Sequence, residues 1–253
     1  QSRRTGTTGP QPQHTDCYRM LVSHRKRFIY TKTLKTASTS AESYFEPYCM
    51  EEGTWSFKKG RKEYISESGI IGCRTGDLLV IQASTWWNHM PAVTIRALLG
   101  DNIWNSYYKF CVIRNPFDKL VSAYHGIRTR SQLDDGSVSK GKYRAELLED
   151  PDRLKQDFEL WLEKDMLPPD RNKYLIDGSF CLDDAIRYES FREDIERISA
   201  RLAIPFTPER LPELKAGRRP GRPLADYYTR RSVDIVTGAY RFELERFNYS
   251  PPL

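Results

Sequence analysis

Apolar runs of strand length alternate along this chain with apolar stripes at helical spacing. Phe28-Ile29-Tyr30 runs into the polar stretch Lys32-Thr33-Leu34-Lys35-Thr36-Ala37-Ser38-Thr39-Ser40. Ala41, Tyr44, Phe45 and Tyr48 then recur at i, i+3, i+4 and i+7, so the pattern predicts a strand, a loop and an amphipathic helix reaching about Tyr48. The device repeats. Tyr108-Lys109-Phe110-Cys111-Val112-Ile113 reads as a strand ending at Arg114, and Asn115-Pro116 opens a helix carrying Phe117, Leu120, Val121 and Tyr124. Ala185-Ile186-Arg187-Tyr188 followed by Phe191, Ile195, Ile198 and Leu202 makes a third β-then-α step.

Between these units, Leu78-Leu79-Val80-Ile81 is a continuous apolar run and predicts a strand buried on both faces of a parallel sheet. Val93, Ala97 and Leu98 predict a short helix ending at Gly100, and Leu154, Phe158, Trp161 and Leu162 a helix after Pro151 stopped by Pro168-Pro169. Val233, Val236, Tyr240, Leu244 and Phe247 predict one long final helix. This alternation is that of an α/β fold with a mainly parallel central sheet flanked by helices. Residues 1–16, rich in Gln, Thr, Gly and Pro, read as a flexible tail. Residues 17–253 read as a single domain with irregular insertions near 51–76, 129–145 and 205–227, the first bordering an acceptor and the second a lid-like loop.

The two β-loop-α units also carry the candidate chemistry. Hydroxyls of Thr36, Ser38, Thr39 and Ser40, the ammonium of Lys35 and a helix N-terminus converge on one loop, which describes an anion site. The loop has no glycine, unlike GxxxxGK[ST], and the plainer reading is a polar turn capped by Ser38 or Ser40. Arg114 offers a planar fork at the second strand's end, and Ser122 lies about two helical turns on, suited to a second phosphate. His89 follows the Leu78–Ile81 run and is placed on the same rim as a candidate base, with His125 as its rival.

RNPFDKLVSAY, read with LKTASTS upstream, resembles the two signature elements of sulfotransferases that use 3′-phosphoadenosine 5′-phosphosulfate, closest to the carbohydrate-type branch that includes the heparan-sulfate 2-O-sulfotransferases. Asn88-His89-Met90-Pro91-Ala92, Ile186-Arg187-Tyr188-Glu189 and Glu245-Arg246-Phe247-Asn248-Tyr249 extend the likeness from about residue 27 to 250. The resemblance implies a fold shared with nucleotide kinases. It implies that Lys35, Thr36, Ala37, Ser38, Thr39 and Ser40 hold the 5′-phosphosulfate, that Arg114 and Ser122 hold the 3′-phosphate, and that His89 is the base. The basic loop with Arg218 and Arg219 matches in position the late loop that closes over the nucleotide. The donor leaves as adenosine 3′,5′-bisphosphate, and no metal is needed. Two departures stand out: Leu34 where the family commonly has proline, and Lys119 where it commonly has arginine.

Composition narrows the partners. A net charge of +6 favours an anionic ligand or acceptor, such as an acidic glycan, and the basic residues are not arranged as a nucleic-acid module. The five cysteines show no CxxC spacing; one or two disulfides stay open, while Cys111 reads as a core residue. Trp55, Trp86, Trp87 and Trp104 are candidate sugar-stacking faces or framework. No apolar run approaches the ~20 residues that span a bilayer. The chain opens on Gln1, so a membrane anchor or signal removed upstream stays open. The resemblance implies the Golgi lumen for a eukaryotic glycan enzyme and the cytoplasm for a bacterial one. The alternatives are the same chemistry on a small hydroxylated metabolite, and a phosphate-loop kinase or nucleotide-binding module.

Overall fold

The computed structural model describes residues 20–58, 60–75, 77–87, 89–131, 148–211 and 221–253. Arg218 and Arg219, the tail at 1–16 and most of the 129–145 insertion lie outside the described residues. The centre is a sheet of six strands in the order β3-β4-β1-β2-β5-β8. These are β1 Leu21–Ser23, β2 Phe28–Thr31, β3 Tyr64–Ser66, β4 Gly69–Ile71, β5 Tyr108–Ile113 and β8 Asp184–Arg187. A separate two-stranded ribbon joins β6 Leu175–Ile176 and β7 Ser179–Phe180.

The expected α/β architecture is present, but the sheet is mixed rather than mainly parallel. β2, β5 and β8 run parallel, with Tyr30 opposite Phe110 and Cys111 opposite Ala185. β1, β3 and β4 add antiparallel pairings at the other side. Two of those strands fall in the 51–76 stretch expected to be irregular; Gly69, at φ 158° with a β-carbon position 2.2 Å from Val22 O, lets β4 lie against β1.

Period-2 alternation builds the two faces. Phe28, Tyr30, Phe110 and Val112 face α1 (Ser38–Phe45) and α7 (Phe191–Arg201), where the Phe45 ring meets Phe110 at 5.0 Å and Phe28 at 5.7 Å. Ile29, Cys111 and Ile113 face α3 (Ala92–Leu99), α4 (Asp101–Ser106) and α9 (Arg241–Phe247). Trp86 and Trp104 are buried in that second layer, at 6% and 4% exposure, so they are framework and not open sugar platforms. A third cluster packs α5 (Pro116–Ser131), α6 (Pro151–Asp165) and α8 (Arg230–Ala239) around Phe158 and Tyr228.

Three further expectations change. Leu78–Ile81 is not a strand: it lies in the short helix α2 (Leu78–Gln82), nucleated by Asp77 Oδ1, which accepts from Leu79 N at 3.0 Å and Val80 N at 3.4 Å. Leu78 and Leu79 are exposed, so the run is not the core segment its composition suggests. The single final helix is two, with a break at Tyr240 (φ −108°, ψ 21°), whose hydroxyl donates to Leu167 O at 2.5 Å. Cys49, Cys73, Cys111 and Cys181 are free thiols, so the described cysteines form no disulfide; Cys17 lies outside the described residues.

Candidate functional site

Because β2 and β5 are parallel neighbours, both loops at their carboxyl ends open on one rim. The first loop is shaped by its own polar side chains. Thr33 Oγ1 donates to Val112 O on the neighbouring strand, and Thr33 and Thr36 hydroxyls meet at 2.8 Å. Ser38 Oγ donates to Thr33 O at 2.7 Å, and Tyr30 OH to Ser38 O at 2.9 Å. Ser38 therefore folds back on the loop, and no side chain caps α1. The capped-turn reading of this loop is not what forms.

Lys35 and Ala37 adopt left-handed conformations, φ 58° and 59°, each costing about 1–2 kcal/mol for a residue with a β-carbon. Such alternation of backbone hand turns successive N–H groups into a concave anion-binding surface. Strain of this size persists only where neighbours over-determine it. Here they do: Leu34 N donates to Asp170 Oδ2 at 2.8 Å, and Arg114 Nη1 donates to Lys35 O at 3.1 Å. Lys35 is held from both sides.

Helix α5 is the common floor. Residues 118, 122 and 126 form one i, i+4 ridge. Asp118 accepts from Arg114 Nε at 2.5 Å at one end of it. At the other end the Lys35 ammonium lies so near Gly126 that a β-carbon there would stand 2.4 Å from Nζ. Ser122, half-buried, sits between. The structure thus brings Lys35, Arg114 and Ser122 together. Arg114 also stacks on the Tyr188 ring at 3.8 Å, and its Nη2 has no protein acceptor among the described residues.

His89 reaches the same loop by an unexpected route. Instead of following a strand of the sheet, it is carried by the segment after Trp87, which bridges Cys73. Its Nδ1 lies 2.8 Å from Lys32 O. A carbonyl only accepts, so Nδ1 carries the proton and Nε2 the lone pair. Burial, helped by the Lys32 charge, lowers its pKa to about 3, and the imidazole is neutral at physiological pH. The backbone at His89 is also left-handed, φ 45°. The rival His125 is engaged with Tyr227 OH at 2.9 Å, and Tyr227 belongs to the core cluster around Phe158.

Several contributors were invisible in the pattern. Lys32 is buried against Glu42 at 2.8 Å and also donates to Thr39 Oγ1 at 3.2 Å, bracing the loop against α1. Asp170, from the segment after Pro168-Pro169, takes both Leu34 N and Lys119 Nζ, the latter at 2.7 Å. The two departures from the family pattern therefore meet at one carboxylate oxygen: a proline at 34 has no N–H to give. Lys173 is buried beside them, its pKa lowered by desolvation. Among the described residues no group of three or more His, Cys, Asp or Glu side chains is arranged to hold a metal ion, and no helix is long and apolar enough to cross a membrane.

No curated protein and no solved structure gives a significant match. The family model described as the sulfotransferase family does match, over residues 18–250, nearly the whole chain including both loops and the ridge helix. The loop geometry, the paired cationic side chains and this match lead to one conclusion: the chain belongs to the sulfotransferase family.

Proposed function

We propose that this sulfotransferase moves a sulfuryl group from 3′-phosphoadenosine 5′-phosphosulfate to a hydroxyl of a saccharide, with His89 as the base. The observation that carries the reading is the junction of the two anion-binding loops, Arg114 Nη1 to Lys35 O at 3.1 Å, above a single ridge of α5. A nucleotide phosphorylated at both 5′ and 3′ positions needs two cationic holds within one ligand's length, and that junction supplies them. The residues fit such a donor: Lys35 with the loop amides and the Thr39 and Ser40 hydroxyls for the 5′ end, while Thr36 and Ser38 use their hydroxyl protons in shaping the loop, and Arg114 Nη2 and Ser122 for the 3′ end. Arg218 and Arg219 join the 3′ hold in this reading.

The donor contributes an activated sulfuryl group. His89 Nε2, unprotonated at neutral pH, takes the acceptor's hydroxyl proton as the new oxygen–sulfur bond forms. Lys35 and the loop amides stabilise the negative charge that gathers on the phosphate oxygen as its bond to sulfur breaks. Arg114 and Ser122 act on the remote 3′-phosphate and keep the reacting atoms in register. The surplus of basic residues, net +6, supports an acidic glycan as acceptor. Transfer of radiolabelled sulfate from the donor to a panel of polysaccharides, simple alcohols and phenols tests this. Label on acidic polysaccharide is the expected result, and label only on small alcohols or phenols would replace the saccharide by a metabolite.

A further inference from the structure

We infer that Asp170 is a positioning residue for the donor loop, holding Lys35 in its strained conformation through the Leu34 amide. This rests on the reading of that loop as the donor's 5′ site. Asp170 is 4% exposed, and a single oxygen, Oδ2, accepts both Leu34 N at 2.8 Å and Lys119 Nζ at 2.7 Å. Lys119 projects from the ridge helix and is 5% exposed, so the carboxylate ties the loop to the helix that also carries Gly126 and Ser122. The segment bearing Asp170 is itself anchored: Arg171 grips Glu243 of α9 with Nε and Nη2, both at 2.9 Å, and Tyr174 OH donates to Glu243 Oε1 at 2.6 Å.

The chemistry of the position explains why a carboxylate is wanted there. Lys32, Lys35, Lys119 and Arg114 gather around one loop that is built to receive an anion. Before the anion arrives, a buried negative group beneath the loop offsets Lys119 without competing for the outward face. Its bond to Leu34 N lies immediately before Lys35, and the Arg114 bond to Lys35 O immediately after. With one of these released, the left-handed turn at Lys35 has a single hold and relaxes toward ordinary geometry. The ammonium then leaves the ridge at Gly126.

Two uncharged double variants separate this hold from the ion pair. Asp170→Ala/Lys119→Met removes the pair and leaves Leu34 N–H without its acceptor; Asp170→Asn/Lys119→Met removes the same charges but restores an oxygen for that N–H. Each is measured for kcat, donor KM, affinity for adenosine 3′,5′-bisphosphate, and hydrogen exchange of the peptide spanning residues 30–40 without ligand. The Asn variant is expected to turn over at least tenfold faster than the Ala variant and to protect that peptide more strongly at equal global stability. Equal turnover and equal exchange in the two would overturn the inference. If the Ala double variant does not fold, Asp170→Leu/Lys119→Met, which fills the Asn volume without an acceptor for Leu34 N–H, takes its place against the Asn double variant. Faster exchange confined to 30–40 with lower kcat supports the inference, and no change overturns it. Because the exchange is read without ligand, a wild type that fails to bind the bisphosphate yet shows this exchange pattern sinks the donor reading while the hold itself stands.

Discussion

At Gly126 the absence of a side chain leaves room for the Lys35 ammonium, which a β-carbon would displace. A methyl there raises helix propensity by about 0.5–1 kcal/mol, yet it meets the Lys35 ammonium at 2.4 Å. Gly126→Ala is therefore expected to melt no lower than wild type while losing at least tenfold in kcat, a split readable from thermal unfolding and steady-state rates. Equal activity would remove Lys35 from the reacting centre. Lys35→Ala is expected to cost about 10²–10³ in kcat, the scale of losing one charge-stabilising donor. At His89 the sign of the pH effect is fixed by its lowered pKa, about 3 against 6.5 for the exposed group. The unfolded chain takes up a proton near 6.5 that the folded protein refuses until about 3. Stability from this residue is thus lost as pH falls from 6.5 toward 3 and is unaffected above 6.5. Melting of His89→Gln against wild type from neutral to acidic pH should show the variant losing less; parallel curves would contradict the buried, neutral imidazole.

Elements decide which of these residues meet. Strand, loop and helix lie close in sequence at 28–45 and 108–124, so the periodicities of 2 and 3.6 and the proline after Arg114 were enough to locate both loops. Other parts depend on distant partners. Asp170 is 136 residues from Leu34, and nothing in its local pattern marks it as more than a residue after two prolines. The strands at 64–66 and 69–71 are too short to register as periodic; 69–71 forms by pairing with Leu21–Ser23, and 64–66 by pairing with 69–71. The run at 78–81 misled because composition cannot separate a buried strand from an exposed helical turn begun by Asp77. Phe110 ties the parallel strands to α1, with rings of Phe28, Tyr30 and Phe45 within 5.6 Å, and is fully buried. Phe110→Leu should cost less than Phe110→Ala, the latter about 3–5 kcal/mol in denaturant unfolding; a cost under 1 kcal/mol for the Ala variant would deny that this strand is central.

For the molecule as a whole, the parallel strands and the ridge helix bring two loops some eighty residues apart onto one rim, as the Lys35–Arg114 bond with its sequence separation of 79 records. Arg114 stacked on Tyr188 adds the third strand's end to that rim, so the carboxyl ends of β2, β5 and β8 meet there. An acidic acceptor drawn to this basic protein should show a KM that rises with ionic strength, since exposed charges are screened over roughly 8–10 Å; an acceptor KM indifferent to salt would favour a neutral substrate. The most direct test of the two-hold rim is calorimetric titration of wild type and Arg114→Ala with adenosine 3′,5′-bisphosphate and with adenosine 5′-monophosphate. Wild type should prefer the bisphosphate by about 10–100-fold, the scale of a charge-assisted hydrogen bond, and Arg114→Ala should weaken that preference while still binding the monophosphate. Equal affinity of wild type for the two nucleotides, or a preference undiminished by the loss of Arg114, would contradict it.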